Sequence, residues 1–263
     1  MRMQNRVALI TANFGGFDNI QRIAPQDVRT DCFFFTDGAG QRMASQKQFA
    51  EASSAWQIIA PPYPRYDLNP RLKAKYFKLQ QHRIAELKGY DYYIWIDASV
   101  EVYSGSFSGW IIDSLGDADT AFFRHHERSC IYNEAAVSTD FSNPYIRKRY
   151  ADEPITEQIA AYRQDAYPSG NGLYACTIFA RRNSKTANAV FDEWWLENIK
   201  WSFQDQLSLP YVLHRNNSVP AILQGTVNEN GHTRFGTHFA DQSRFRRLRR
   251  GIKAKLQNLF RSL

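Results

Sequence analysis

Tyr92-Tyr93-Ile94-Trp95-Ile96-Asp97-Ala98-Ser99 is an apolar run that stops on a carboxylate. It lacks the alternation of a half-exposed strand, so 92–96 is expected to be a strand covered on both faces, the kind found inside parallel sheets. Shorter runs repeat the pattern. Residues 7–12 break into Asn13-Phe14-Gly15-Gly16, 32–36 stop at Asp37-Gly38, and 56–60 close on Pro61-Pro62. After a loop at 63–70, the spacing of Tyr76, Leu79, Ile84 and Leu87 predicts a helix over 71–87, ended by Gly89. Strand, helix and strand in this order define an α/β chain with a mostly parallel central sheet flanked by helices, and such sheets bind ligands beyond the carboxyl ends of their strands. Asn13, Asp37 and Asp97 all sit just past such ends. Strands at 120–123 and 177–180 and helices at 155–162 and 187–201 follow. With no internal repeat and no low-complexity linker, residues 1–240 read as one continuous domain.

The chain has 263 residues, 43% of them hydrophobic, enough to fill a large core. Its formal charge of +7 is concentrated: residues 241–263 carry eight bases against one acid, Asp241, and residues 1–240 balance. The basic character therefore belongs to the tail, which argues against a nucleic-acid-binding fold. Cys32, Cys130 and Cys176 are odd in number and lack metal-type spacing, so a reducing, cytoplasmic compartment is expected. The apolar run ending at Ala12 is too short for a signal-peptide core or a membrane span.

Five stretches carry the candidate chemistry. They are Leu9-Ile10-Thr11-Ala12-Asn13-Phe14-Gly15-Gly16, Ala74-Lys75-Tyr76-Phe77-Lys78-Leu79, Trp95-Ile96-Asp97, Arg124-His125-His126-Glu127-Arg128 with Cys130-Ile131-Tyr132-Asn133-Glu134, and Asp205-Gln206-Leu207-Ser208-Leu209-Pro210-Tyr211. In this order they resemble the TOD/MUCI-type glycosyltransferase-like family, related in plan to glycosyltransferase family 8. The resemblance implies a GT-A-like fold and transfer of a sugar from a nucleotide-sugar donor, UDP-linked, to a glycan or lipid-linked acceptor in surface polysaccharide synthesis.

A transferase of this kind must stabilise the charge that grows on the leaving diphosphate. The resemblance assigns donor binding to Thr11, Ala12, Asn13, Phe14, Asp37, Arg71, Lys75, Lys78, Asp97 and Ser99. Lys75 and Lys78, three apart on a helix, project from one side. Asp97 with Ser99 is expected to hold Mn2+ or Mg2+, completed by His238, with His232 as the other late histidine. Ser99 stands where many such enzymes have a second aspartate, and Asp97 equally suits a ribose contact or a capping role. Asp205 and Gln206 are the expected catalytic pair, Asp205 as a base for the acceptor hydroxyl or Gln206 as an amide near the anomeric carbon; an aspartate here also suits a helix N-cap. His125, His126, Glu127 and Arg128 are assigned to acceptor or sugar hydroxyls, with Glu157, Gln158, Asn171 and Gly172 on the same cleft.

Beyond Phe245 the apolar residues Leu248, Ile252, Leu256, Leu259, Phe260 and Leu263 recur every three or four positions, with bases between them. This is the pattern of a helix lying on an anionic membrane surface, which would make the protein peripheral on the inner face of the membrane; docking of the apolar face on the protein itself or a partner, and binding of nucleic-acid phosphates, are the alternatives. Two rivals stand beside the transferase reading. A catalytically idle nucleotide- or membrane-binding module would explain the missing second aspartate. A nucleotide-sugar-forming nucleotidyltransferase would need a longer lysine-bearing glycine loop than residues 13–23 provide.

Overall fold

The computed structural model describes residues 5–62 and 69–236. Its centre is a seven-stranded sheet in the order β3-β2-β1-β4-β7-β6-β8. These strands are β1 (Val7–Asn13), β2 (Thr30–Thr36), β3 (Gln57–Ile59), β4 (Tyr92–Ile96), β6 (Thr120–Arg124), β7 (Tyr174–Arg182) and β8 (Ala221–Leu223). A two-stranded sheet pairs β5 (Val100–Val102) with β9 (Thr233–Phe235). Only β7 runs against its neighbours, so the sheet is mostly parallel.

Helices cover both faces. On one face Ala8, Ile10 and Ala12 of β1 pack under α3 (Pro70–Leu79), α5 (Ile131–Ser138), α7 (Ile155–Gln164), α8 (Lys185–Lys200) and α9 (Asp205–Arg215). On the other, Val7 and Leu9 meet α1 (Gly38–Ala44) and α4 (Phe107–Asp113). The short helices α2 (Ala50–Ser53) and α6 (Pro144–Tyr150) complete the set among the described residues. Every residue of β1 is buried, as a continuous apolar run in a doubly covered sheet requires.

The reversal of β7 decides where the site lies. Because it is antiparallel, its first residues, not its last, share an edge with the carboxyl ends of β4 and β6; Asp97 N donates to Thr177 O at 2.8 Å across that edge. The turn after β1 is shaped by Gly15 and Gly16, both at positive φ (78° and 67°), a conformation open to glycine at little cost.

The six strands expected from the sequence lie where it puts them, give or take three residues, whereas the three-residue strands β5, β8 and β9 were not expected. The helix expected over 71–87 is shorter: α3 ends at Leu79 and two 3-10 turns, Gln81–Arg83 and Ala85–Leu87, follow. Gln80 donates to Phe191 O (3.2 Å), and Gln81 and His82 accept from the buried Arg181 (2.8 and 3.0 Å). Feeding these polar groups into the core pulls the chain out of helical geometry. Asp205 is the first residue of α9 and not its N-cap, which is Gln204.

Candidate active site

α3 begins cleanly, with Asn69 Oδ1 accepting from Leu72 N (2.9 Å) and Pro70 in its first turn. That registry sends Lys75 and Lys78 toward the carboxyl edge of the sheet. There they meet Asp205, whose backbone is fixed by α8: Trp194 Nε1 donates to Asp205 O (3.3 Å) and to Ser208 Oγ (3.1 Å). Lys75 Nζ bonds Asp205 Oδ2, and Lys78 Nζ lies 2.7 Å from the same oxygen and 3.2 Å from Asp97 Oδ1. Trp95 Nε1 donates to Asp97 Oδ1 at 2.7 Å. Two ammoniums and two carboxylates thus share one cluster, and Asp97, 41% exposed against 9% for Asp205, faces solvent most.

Burial alone would raise the Asp205 carboxyl, but Lys75 and Lys78 override it and hold it well below the usual carboxylate range. Burial opposes charge on Lys78 as well, yet Asp205 and Asp97 together lift its ammonium above the ordinary lysine value. Lys75 goes the other way: burial, with the like charge of Lys78, outweighs Asp205 and lowers it. Asp205 is therefore a poor proton acceptor and a firm anchor.

The cluster lines a cavity of about 290 Å³ that also takes in Arg128, Arg149, Glu134, Gln204 and Cys176. A second cavity of about 360 Å³ adjoins it, and His125, Thr177 and Gln206 line both. His125 Nδ1 accepts from Glu127 N (3.2 Å) and Arg128 N (3.1 Å), and Arg128 Nη2 lies 3.3 Å from its Nε2. Burial lowers its pKa, so the ring is neutral at pH 7. Arg128 bonds Glu134 Oε2 (2.6 Å), whose other oxygen accepts from Gln204 Nε2 (2.9 Å), and Gln204 Oε1 accepts from Tyr150 (2.9 Å). This chain of bonds braces the loop before α9.

The other expected site residues fall elsewhere. Asp37 caps α1: Oδ1 accepts from Ala39 N and Gly40 N, and Oδ2 from Gly15 N (2.8 Å), so it clips the two loops together. Asn13 bonds within its own turn, to Asp18 O and Phe17 N; Phe14 stacks on Phe77; Thr11 and Ala12 are buried. Arg71 lies over the Phe203 ring and outside both cavities. Gln158 is a correction, being fully buried and bonded to Tyr162 and Ser202 in the core. Glu157, Asn171 and Gly172 line neither cavity, whereas His126 lines the second and Glu127 pairs with Arg128.

A divalent ion does not fit the described residues. Asp97 Oδ1 is already held by an ammonium and an indole N–H, Ser99 is buried outside both cavities, and no cluster of three or more His, Cys, Asp or Glu side chains is placed to hold a metal among the described residues. His232 stacks on Trp110 (4.6 Å) and meets Ser104 and Ser106. His238 lies outside the described residues. Gln204, Tyr150 and Thr177 were not expected in the site, and Glu134 was marked only as the end of the stretch Cys130 to Glu134.

A mostly parallel sheet between helical layers, with cations and carboxylates gathered at its carboxyl edge, is the GT-A-like architecture. The model of the TOD1/MUCI70 glycosyltransferase-like domain matches residues 1–225, and the chain belongs to that family. No curated protein matches the chain.

Proposed function

We propose that the protein is a glycosyltransferase that moves a sugar from a nucleotide diphosphate donor, UDP-linked, to a glycan or lipid-linked acceptor in surface polysaccharide synthesis. The observation that carries this reading is the pair Lys75 and Lys78, converging on Asp205 and Asp97 at the carboxyl edge. As the bond from the anomeric carbon to the diphosphate breaks, negative charge grows on the leaving oxygen, and preplaced ammoniums in a partly dry cavity stabilise it without reorganising. The acceptor oxygen forms the new bond to the same carbon as the bond to the diphosphate breaks, and its proton passes to the departing diphosphate or to solvent. Asp205, held down by two lysines, serves to aim them; Gln206, at the junction of the cavities, presents its side chain to the reacting sugar. Asp97, the more exposed carboxylate, is the one an incoming diphosphate displaces from Lys78.

The test is a panel of nucleotide sugars, each with and without Mn2+, followed by nucleotide release and thermal shift. Release from at least one donor, reduced about a hundredfold or more in Lys75→Gln, is expected. A protein stabilised by none of the nucleotides would be a different kind of molecule. The basic segment after residue 243 is proposed to hold the enzyme on an anionic membrane surface, where a lipid-linked acceptor would be presented.

A further inference from the structure

The cavity of about 360 Å³ has two walls of different origin. One comes from the strand ends and α9: Phe123 to His126, Ala175, Thr177 and Gln206. The other is Thr226 to Glu229 with Phe235, and every one of these residues lies beyond residue 225, where the family match stops. The matched residues thus supply the floor that adjoins the lysine cavity, and the facing wall lies past them.

That wall is tightly built. Asn230 Nδ2 donates to Thr226 O and to Thr233 Oγ1, both at 2.7 Å, and Asn230 Oδ1 accepts from His232 N (2.7 Å) and Thr233 N (2.9 Å). Thr233 Oγ1 in turn donates to Val227 O (2.6 Å), and Phe235 N to Asn228 Oδ1 (2.9 Å). Pairing of β9 with β5 and the Arg234–Glu101 ion pair (2.8 Å) tie it to the body. On this braced frame Phe235 is 47% exposed beside the exposed Glu229, and on the opposite wall His126, stacked on His125, is 63% exposed. A protein leaves a phenyl ring open on a rigid frame at a cost in hydration, and such a ring beside an exposed carboxylate, here bonded only to Thr226 Oγ1 at 3.3 Å among the described residues, suits a ligand with one apolar face and a rim of hydroxyls.

We infer that this cavity is the acceptor subsite and that it takes a carbohydrate, one sugar face lying on Phe235 and its hydroxyls donating to Glu229, so that residues 226–235 set acceptor specificity. The inference rests on the transferase reading and deepens it, since Thr177, His125 and Gln206 then mark the passage through which the sugar crosses from the lysine cavity. The acceptor is a sugar hydroxyl at a glycan end, whether or not that glycan is lipid-linked.

The test uses the full chain with UDP present and a panel of methyl glycosides of glucose, galactose, mannose and N-acetylglucosamine, read by saturation-transfer NMR, with UDP binding followed by thermal shift in the same samples. At least one glycoside is expected to give a signal that falls about tenfold in Phe235→Ala and several-fold in Glu229→Gln, with the UDP shift unchanged. Phe235 and Glu229 are surface side chains, so both variants should fold, and the UDP shift checks this. Undiminished signal in both variants, or no signal from any glycoside while UDP still binds, overturns the inference and leaves the transferase reading standing. Glycoside signal that depends on Phe235, with no nucleotide bound or hydrolysed, sinks the transferase reading instead.

Discussion

At the scale of single residues the site is a problem in charge balance. Lys75 and Lys78 are matched by Asp205 and Asp97, and one partner is buried while the other is open. Removing a buried partner leaves an uncompensated ion: Lys78→Met should destabilise the fold by about 3 kcal/mol in denaturant titration, and adding Asp205→Asn should recover part of the loss, as coupled neighbours do. Asp97 behaves oppositely because solvent reaches it. If it is the carboxylate a diphosphate must displace, Asp97→Asn removes repulsion, and in chelator UDP should bind about three- to tenfold more tightly by calorimetry, since a tenfold change is about 1.4 kcal/mol. Weaker binding, with a Mn2+ requirement that disappears in the variant, would instead make Asp97 a metal ligand. Most of the cluster was legible: an apolar run ending on aspartate, two lysines three apart, an Asp-Gln pair after an aromatic helix. What was not legible is that they neutralise one another. Spacing within a helix fixes a side, but the partner across 130 positions of chain depends on how α8 seats α9.

Elements explain why those residues are held so firmly, and where the sequence misled. The pattern over 71–87 has helical spacing, but Gln80 is drawn to Phe191 O, and Gln81 and His82 carry hydrogen bonds that Arg181 needs. Arg181 is fully buried, and its guanidinium bonds Gln81, Asn188 and His82 without a carboxylate of its own. His82 must accept at Nδ1 from this cation and donate at Nε2 to Asp192 (3.0 Å), so the fold demands the neutral ring. Burial, then Arg181, lowers its pKa to about 4 from an ordinary 6.5. A lowered pKa means the unfolded chain takes up the proton first. Stability from this contact is therefore complete above about pH 6.5 and is lost as pH falls toward about 4, by up to about 3 kcal/mol. Urea midpoints measured across that window should slope downward with acid in the wild type and flatten in His82→Gln. Close approach governs the other side of the sheet. A Cβ on Gly40 would fall 1.8 Å from Thr36 Oγ1, which donates to Asn13 O, so Gly40→Ala should cost about 2–3 kcal/mol and disturb the β1 turn with it. A thermal midpoint equal to wild type would show that α1 can shift away freely. The sequence did not single out this glycine, because contact between α1 and β2 leaves no periodic trace.

The whole molecule joins an electrically balanced body to a strongly basic end, and the geometry of the join gives that division a use. The last described residue, Gly236, donates to Ser99 O at 2.7 Å, two residues from Asp97, so the chain leaves the body at the edge that carries the site. The bases begin at Arg244, eight positions later, and eight extended residues reach at most about 28 Å. Arg244, the first of the bases, is consequently tethered within about 28 Å of Gly236. No helix among the described residues is long and apolar enough to cross a membrane, so attachment, if it occurs, falls to the segment whose apolar residues recur every three or four positions. Eight bases at about 1 kcal/mol each near an anionic surface, before screening, are ample for reversible binding that weakens with salt. Deleting residues 244–263 should therefore abolish co-sedimentation with phosphatidylserine vesicles and leave soluble donor hydrolysis within about twofold of wild type, since the described residues, which end at Gly236, already line both cavities. Unchanged vesicle binding would remove the tail from the membrane account. Lost hydrolysis would mean that the segment completes the site, which the bond between Gly236 and the Asp97–Ser99 turn makes the alternative worth measuring in the same preparation.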